Sequence, residues 1–243
     1  MSLDNTNIDI NSDLGEIDPS FKLEGMIMPL IDRCNIAAGA HAGNNESIKQ
    51  TLILAAENKV KVGIHPSYPD RENFGRIRLN IADAKLMDSI KNQLINFAEI
   101  ADKNNIGIDH IKAHGALYHC LGEEESIAEK YLTLIQDLFP NKNILVSPNS
   151  KIERLSSGFS MGVLNEAFGD RKYTIDGKLQ YRKIEGSILS DPSVVIEQIE
   201  HIINDKGLTI EDSFIPLKVN TICVHSDTEN AVKILQAIKN HFA

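Results

Sequence analysis

The sequence predicts an α/β protein built on a parallel sheet, and three observations lead there. Short runs rich in Ile, Val and Ala alternate with longer stretches whose apolar residues recur every three or four positions. That alternation repeats roughly seven times, the signature of strands followed by covering helices. Hydrophobic residues make up 42% of the 243 and charged residues 24%, an ordinary globular balance in a chain long enough to bury a full core. The pattern alone admits either a closed barrel or a doubly wound open sheet.

The expected strands are residues 7–13, 34–41, 60–65, 110–114, 143–147, 162–166 and 219–225. Each is an apolar run of the kind buried on both faces. The clearest helix spans 81–103, where Leu86, Ile90, Leu94, Phe97 and Ala101 share one face. Another starts at Ser190-Asp191-Pro192, an N-cap followed by proline at the first helical position, with Val195, Ile199, Ile202 and Ile203 inward. The last spans 229–242 and uses Val232, Leu235, Ala237 and Ile238. Residues 173–175 and 178–181 flank Asp176-Gly177 as a β-hairpin with a type I′ turn, an insertion near 172–183. No linker divides the chain, so one domain over 1–243 is expected.

Charge and cysteine content narrow the function. A formal charge of −9, from 34 acids against 25 bases, repels polyanions, and no Lys/Arg run exceeds two residues. Nucleic acid is therefore not an expected partner. Cys34, Cys120 and Cys223 stand far apart without a CxxC, which fits a reducing cytoplasm. The first residues lack the basic and apolar regions of a signal peptide. No apolar run approaches the ~20 residues that span a bilayer, so no membrane role is expected.

The polar residues fall at the carboxyl ends of the expected strands, where parallel sheets carry their chemistry. Asp13 and Glu16 follow strand one, His41 ends strand two and His65 ends strand three. Lys112 and His114 end strand four, Glu166 and Asp170 follow strand six, and His225 and Asp227 close strand seven. Four of the eight histidines thus share one rim. Singly, each has a structural reading: Asp13-Leu14-Gly15 as a turn, His41-Ala42-Gly43 as a strand-to-helix turn, His65-Pro66 as a strand end. Together they favour a site. Asp13, His41 and His65 suit a His₂–carboxylate site for a divalent metal, although hydrogen-bonded acid/base histidines would leave the same sequence. No GxSxG, GxxxxGK[ST] or GxGxxG occurs, so a bound nucleotide would need another type of site or another chain.

The same positions carry a family resemblance. Residues 8–16 (IDINSDLGE) resemble the "DLNADLGE" opening of the LamB/YcsF family, and 35–44 (NIAAGAHAGN) resemble its "NIACGFHAGD". Residues 65–76 (HPSYPDRENFGR) are similar to "HPSFPDRENFGR" almost throughout, and 112–118 (KAHGALY) to "KPHGALY". Residues 166–173 (EAFGDRKY) resemble "EVFADRGY", with Asp176, Gly177 and Arg182 in step, and 223–227 (CVHSD) resemble "CVHGD". Departures fall at Ala38, Ala40, Asn44, Ala113 and Ser226; Ala38 removes a thiol and Asn44 a charge.

The resemblance implies a distorted seven-stranded parallel β/α barrel of the glycoside hydrolase/deacetylase type. It also implies a component of ATP-dependent 5-oxoprolinase, which opens 5-oxo-L-proline to L-glutamate as ATP becomes ADP and phosphate, alongside B and C subunits. Such chemistry needs a base for water, an acid for the ring nitrogen and cations for anionic groups. Asp13, His41, His65, His114 and Glu166 are the corresponding catalytic candidates. Glu16, Arg71, Arg76, Lys112, Asp170, His225 and Asp227 are the substrate- and phosphate-binding ones. Two other readings stand beside this one: a metal-dependent deacetylase of an N-acetyl sugar, and a non-catalytic scaffold within the complex. The absence of Trp and 5% aromatic content count mildly against a sugar groove.

Overall fold

Seven parallel strands close into a barrel in the computed structural model, which describes residues 9–17 and 20–242. They begin with β1 (Ile10–Leu14), β2 (Arg33–Ala37), β3 (Lys61–His65), β4 (Ile108–Lys112), β5 (Asn143–Val146) and β6 (Gly162–Phe168). An antiparallel pair, β7 (Gly207–Ile210) and β8 (Ser213–Pro216), stands outside the barrel. β9 (Thr221–Cys223) then closes it, pairing with both β6 and β1. Between the strands run α1 (Lys22–Ile27), α2 (Asn45–Asn58), α3 (Asp83–Lys103), α4 (Gly115–Glu123), α5 (Glu125–Leu138), α6 (Lys151–Ser156), α7 (Pro192–Asn204) and α8 (Ala231–His241). The barrel, and not the open sheet, is the solution adopted.

The helices form where the apolar spacing places them. All five expected inward residues of α3 are buried, and each large side chain there contributes about 1.5–3 kcal/mol on leaving water. Asp191 caps α7 by accepting from Ser193 N, with Pro192 at the first position. Asn44 caps α2 through a reciprocal box: its side chain accepts from the Glu46 and Ser47 amides, and Ser47 Oγ accepts from Asn44 N. The amide at position 44 thus has a structural role that needs no charge.

Several boundaries differ from expectation. Residues 7 and 8 of the first expected strand lie outside the described residues. β2 ends at Ala37 and β4 at Lys112, so His41 and His114 sit on the loops beyond them. The left-handed backbone of Gly39, φ 91°, turns the chain out of β2, and His114 is the N-cap residue of α4. Residues 171–188 form only isolated bridges, Arg171 to Ile188 and Tyr173 to Leu179, not a continuous ladder. Their turn is not type I′, because Gly177 alone is left-handed (φ 78°) and its amide donates back to the Thr174 carbonyl. The two-residue turn with both residues left-handed joins β7 to β8 at Glu211 and Asp212 (φ 46° and 64°). Glu-Asp is a poor sequence signal for that turn, so the sequence does not announce this hairpin.

The barrel interior is polar. Asn35 Nδ2 donates to Asn11 Oδ1 and Asp13 Oδ1, both at 2.8 Å, and Asn11 Nδ2 donates to Thr221 Oγ1 at 3.0 Å. His110 is also inside, 2.8 Å from Asn35 Oδ1. Gly63 on β3 makes room for that ring: a Cβ at position 63 would lie 2.1 Å from His110 Nε2. Gly63→Ala is therefore expected to displace His110 and destabilise the chain by about 1–3 kcal/mol, the usual range for overpacking. Urea unfolding checks this, and an unchanged midpoint would show that the ring moves freely.

Candidate active site

Because every barrel strand runs the same way, their carboxyl ends meet at one mouth. A cavity of about 680 Å³ opens there. Asp13, Glu16, His65, Lys112, His114 and His225 line its inner part; Arg76, Arg171 and Arg182 also line it.

Lys112 holds the inner end together. Its ammonium lies 2.9 Å from Asp13 Oδ1, 2.9 Å from Glu166 Oε1 and 3.3 Å from Cys223 Sγ. All three ionic side chains are at most 5% exposed. Burial alone would lower the lysine pKa, but Asp13 and the other nearby acids hold it well above its ordinary value. Burial opposes ionisation of Asp13 too, yet His65 and Lys112 hold its carboxyl well below the usual carboxylate range. Asp13 is thus a carboxylate with Oδ1 engaged by Asn35 and Lys112 and Oδ2 3.4 Å from His65 Nε2. Burial pushes the Cys34 and Cys223 thiols up, which makes them poor nucleophiles.

Three histidines and Glu16 form a second cluster. His65 Nδ1 lies 2.8 Å from the Lys112 carbonyl, and His114 Nε2 lies 2.9 Å from the Phe74 carbonyl. A carbonyl only accepts, so those nitrogens carry the protons in the neutral rings. The remaining nitrogens, His65 Nε2 and His114 Nδ1, face each other at 3.0 Å. His41 stacks on His114 with ring centroids 3.8 Å apart, and its Nε2 lies 2.9 Å from Glu16 Oε1. Burial drives His41 down to about 3 and His114 well below its ordinary value. Burial, then the charge of Asp13, raises Glu16 to about 7.

The loop that supplies the Phe74 carbonyl is held in an unusual conformation. Phe74 is left-handed at φ 56°, a cost of about 1–3 kcal/mol for a non-glycine residue. Gly75 N donates to the Asp70 carbonyl at 2.7 Å, and Ala116 N donates to the Gly75 carbonyl at 3.0 Å, which latches the loop to α4.

Across the cavity, Asp170 orients His225. The Asp170 carboxylate accepts from His225 N at 2.9 Å, faces His225 Nδ1 at 3.0 Å and accepts from Thr228 Oγ1. With Nδ1 committed, Nε2 is the nitrogen left to serve the cavity. Burial lowers the His225 pKa, but Asp170 more than offsets it and the net shift is upward. Burial raises Asp170 while His225 and Thr228 bring it down, net below its ordinary value. The raised imidazole contributes stability fully below about 6.5 and loses it as pH rises through the folded value; the depressed carboxylate contributes above about 4 and loses it as pH falls. The Asp170–His225 coupling, measured with Asp170→Asn, His225→Gln and the double variant, should therefore be greatest near pH 5. It should amount to about 1–3 kcal/mol and fade above neutrality. A coupling independent of pH would mean the pair is not ionic.

Two of the three cavity arginines share one acid. Arg76 Nη2 and Arg182 Nη2 each lie 2.6 Å from a different oxygen of Asp227. Arg171 is 5% exposed; its Nη2 donates to the Gln180 carbonyl, and its Nε has no hydrogen-bond partner among the described residues. Three guanidiniums and one carboxylate leave this region cationic, suited to an anionic group.

The LamB/YcsF family model matches residues 8–243. The chain belongs to the LamB/YcsF family. Among its relatives is the 5-oxoprolinase A subunit of Pyrococcus abyssi (strain GE5 / Orsay), 34% identical over 235 residues, with 96% of this chain and 92% of the relative covered. The 5-oxoprolinase A subunit of Acinetobacter baumannii (strain ACICU) is 32% identical over the same shares. The fold is shared with the crystal structure of a lactam utilization protein from Thermus thermophilus, at a TM-score of 0.86 and 24% identity over 97% of both chains.

In this LamB/YcsF protein the structure gathers most of the residues singled out from the sequence, but groups them differently. Asp13 does not join His41 and His65 as a three-residue set. Glu16 does, with His114: one donor atom from each of Glu16, His41, His65 and His114 lies within 4.8 Å of the others. Asp13 groups instead with Cys223 and His225, where the Lys112 ammonium already touches both Asp13 and Cys223. Glu166 pairs with Lys112 from below, and Asp170 supports His225. Arg71 leaves the group: its Nη1 donates to the Gly39 and Gly43 carbonyls, along a separate cleft between α2 and α3. Arg171 and Arg182 are cavity residues that the strand-end reading misses. Their signal is present in the matching EAFGDRKY block and the arginine in step after it. Among the described residues, no helix is long and apolar enough to cross a membrane.

Proposed function

We propose that this chain is the A component of an ATP-dependent 5-oxoprolinase, acting with B and C subunits to convert 5-oxo-L-proline to L-glutamate as ATP becomes ADP and phosphate. The observation that carries this reading is the division of one cavity into an inner acid–base end and a cationic region. The full-length likeness to the A subunits of 5-oxoprolinases supports it.

A lactam is a resonance-stabilised amide and a poor electrophile until its oxygen is phosphorylated. Arg171 and Arg182 hold the substrate carboxylate, with Arg76 beside the phosphoryl group. Water then adds to the ring carbon and gives its proton to Asp13 Oδ2, the oxygen not held by Lys112. The C–N bond then breaks: the adduct's hydroxyl gives its proton to solvent as it becomes a carbonyl, and the nitrogen takes a proton from His225 Nε2, which Asp170 keeps oriented and proton-rich. A second water releases phosphate from the resulting acyl phosphate. No residue of this chain is assigned to the nucleotide.

The test is reconstitution. The purified chain with B and C subunits should yield glutamate and ADP only when 5-oxoproline is present, and omission of this chain should abolish both. No glutamate from the complete mixture would overturn the proposal. Release of acetate from an N-acetyl sugar by the chain alone would replace it with the deacetylase reading.

A further inference from the structure

We infer that Glu16, His65 and His114 form a binding centre for one divalent ion of the zinc class, with His41, stacked parallel on His114 and so unable to aim its in-plane lone pair at the same ion, supporting Glu16 from beside it. The ion's use in catalysis rests on the function proposed above; its binding rests on geometry alone. His65 Nε2 and His114 Nδ1 face each other at 3.0 Å while the opposite nitrogen of each ring gives its proton to a backbone carbonyl. With those protons directed outward, His65 Nε2 and His114 Nδ1 are brought together as the two nitrogens able to bind one electrophile between them, a shared proton in the free chain or a metal ion when one is present.

Glu16 Oε1 stands 2.9 Å from His41 Nε2, 3.4 Å from His114 Nδ1 and 3.8 Å from His65 Nε2. The separations among the donor atoms of Glu16, His65 and His114, 3.0, 3.4 and 3.8 Å, bracket the edge of about 3.3 Å in a tetrahedron with bonds of about 2.0 Å, the length of zinc–imidazole and zinc–carboxylate bonds. Among the described residues these three rings are the only ion-pair partners of Glu16, whose side chain is 4% exposed. The buried carboxylate therefore lacks a permanent cation, whereas Asp13 and Glu166 share Lys112.

The surroundings fit a ligand set as well. The carbonyls of Lys112 and Phe74 orient two of the rings from behind, as outer-shell partners of metal-bound histidines do. Two imidazoles and one carboxylate select a borderline ion such as Zn²⁺ over Mg²⁺ or Ca²⁺, which prefer all-oxygen shells. Bound there, the ion would supply a Lewis acid for water or a lactam oxygen.

The experiment uses the full chain, stripped with a chelator and dialysed against Zn²⁺ or Co²⁺. We expect one equivalent of Zn²⁺ by elemental analysis and a visible Co²⁺ absorption band typical of low coordination number. Glu16→Gln and His114→Gln should each weaken Zn²⁺ binding by more than about 100-fold, beyond the loss typical of outer-shell changes. His201→Ala, which alters an exposed histidine paired with Asp205, should leave the stoichiometry at one. Circular dichroism of each variant separates lost ligands from lost fold. Failure of the wild-type chain to bind Zn²⁺ stoichiometrically overturns the centre, as does binding that survives in both folded ligand variants. Zn²⁺ binding without lactam opening in the reconstituted mixture would sink the proposed function and leave the centre standing. Full activity after metal removal would leave the proposed function standing and remove the ion from its catalysis.

Discussion

Replacing Lys112 with methionine is expected to destabilise the chain by about 3–5 kcal/mol, the cost of stranding a buried charge by removing its partner. Here two carboxylates, Asp13 and Glu166, share the one ammonium, each at 2.9 Å. Methionine fills most of the volume of the lysine stem and removes the charge, so the loss is mainly electrostatic. Three consequences make the prediction specific. The loss should shrink as pH falls and the stranded carboxyl groups take up protons. Adding Glu166→Gln should recover part of it, because only one buried charge then remains. Glu166→Gln alone should cost less than Lys112→Met, since Asp13 still neutralises the lysine. Urea unfolding of the set at two pH values checks all three, and a Lys112→Met chain as stable as wild type would mean that water reaches the ion triad.

Asp13→Asn is expected to lower kcat of the assembled enzyme by about 10²–10⁴-fold, the contribution typical of a positioned general base. The side chain already has Oδ1 occupied by Asn35 and Lys112, which leaves Oδ2 as the oxygen able to take a proton. An asparagine can keep its carbonyl oxygen toward those donors and place its amide where Oδ2 was, so shape is preserved while basicity is lost. KM should change much less than kcat, because the anion-binding arginines are untouched. Glu166 still neutralises Lys112 in this variant, so the fold should survive. A variant with near-normal turnover would remove Asp13 from the chemistry and transfer the role of base to another carboxylate at the mouth.

The legible part of the site was its membership, and the illegible part its pairing. A carboxylate or imidazole at the end of an apolar strand is a local feature, and it marks most of the candidates. Which acid meets which histidine is not local. Glu16 and His41 are 25 positions apart and His65 and His114 are 49 apart, yet both pairs are in contact. Order along the chain groups Asp13 with His41 because the two stand at the carboxyl ends of adjacent strands. In space, the loop after β1 carries Glu16 over to His41 while Lys112 holds Asp13 inside the barrel. Arg71 misleads for a related reason: its neighbours in sequence are at the mouth, but its guanidinium caps carbonyls outside it.

Residue order alone determined the seven-strand alternation, the buried face of α3, the cap of α7 and the family, since each is written in spacing over a few residues or in contiguous blocks. Closure of the sheet required β9 to reach both β1 and β6, and its register with β1 depends on contacts between residues over two hundred positions apart. The same long-range packing decided that Lys112 neutralises two acids and that the two ring nitrogens meet at 3.0 Å. Charge balance and lone-pair direction are properties of groups brought together in space, so they exist only once the barrel has closed.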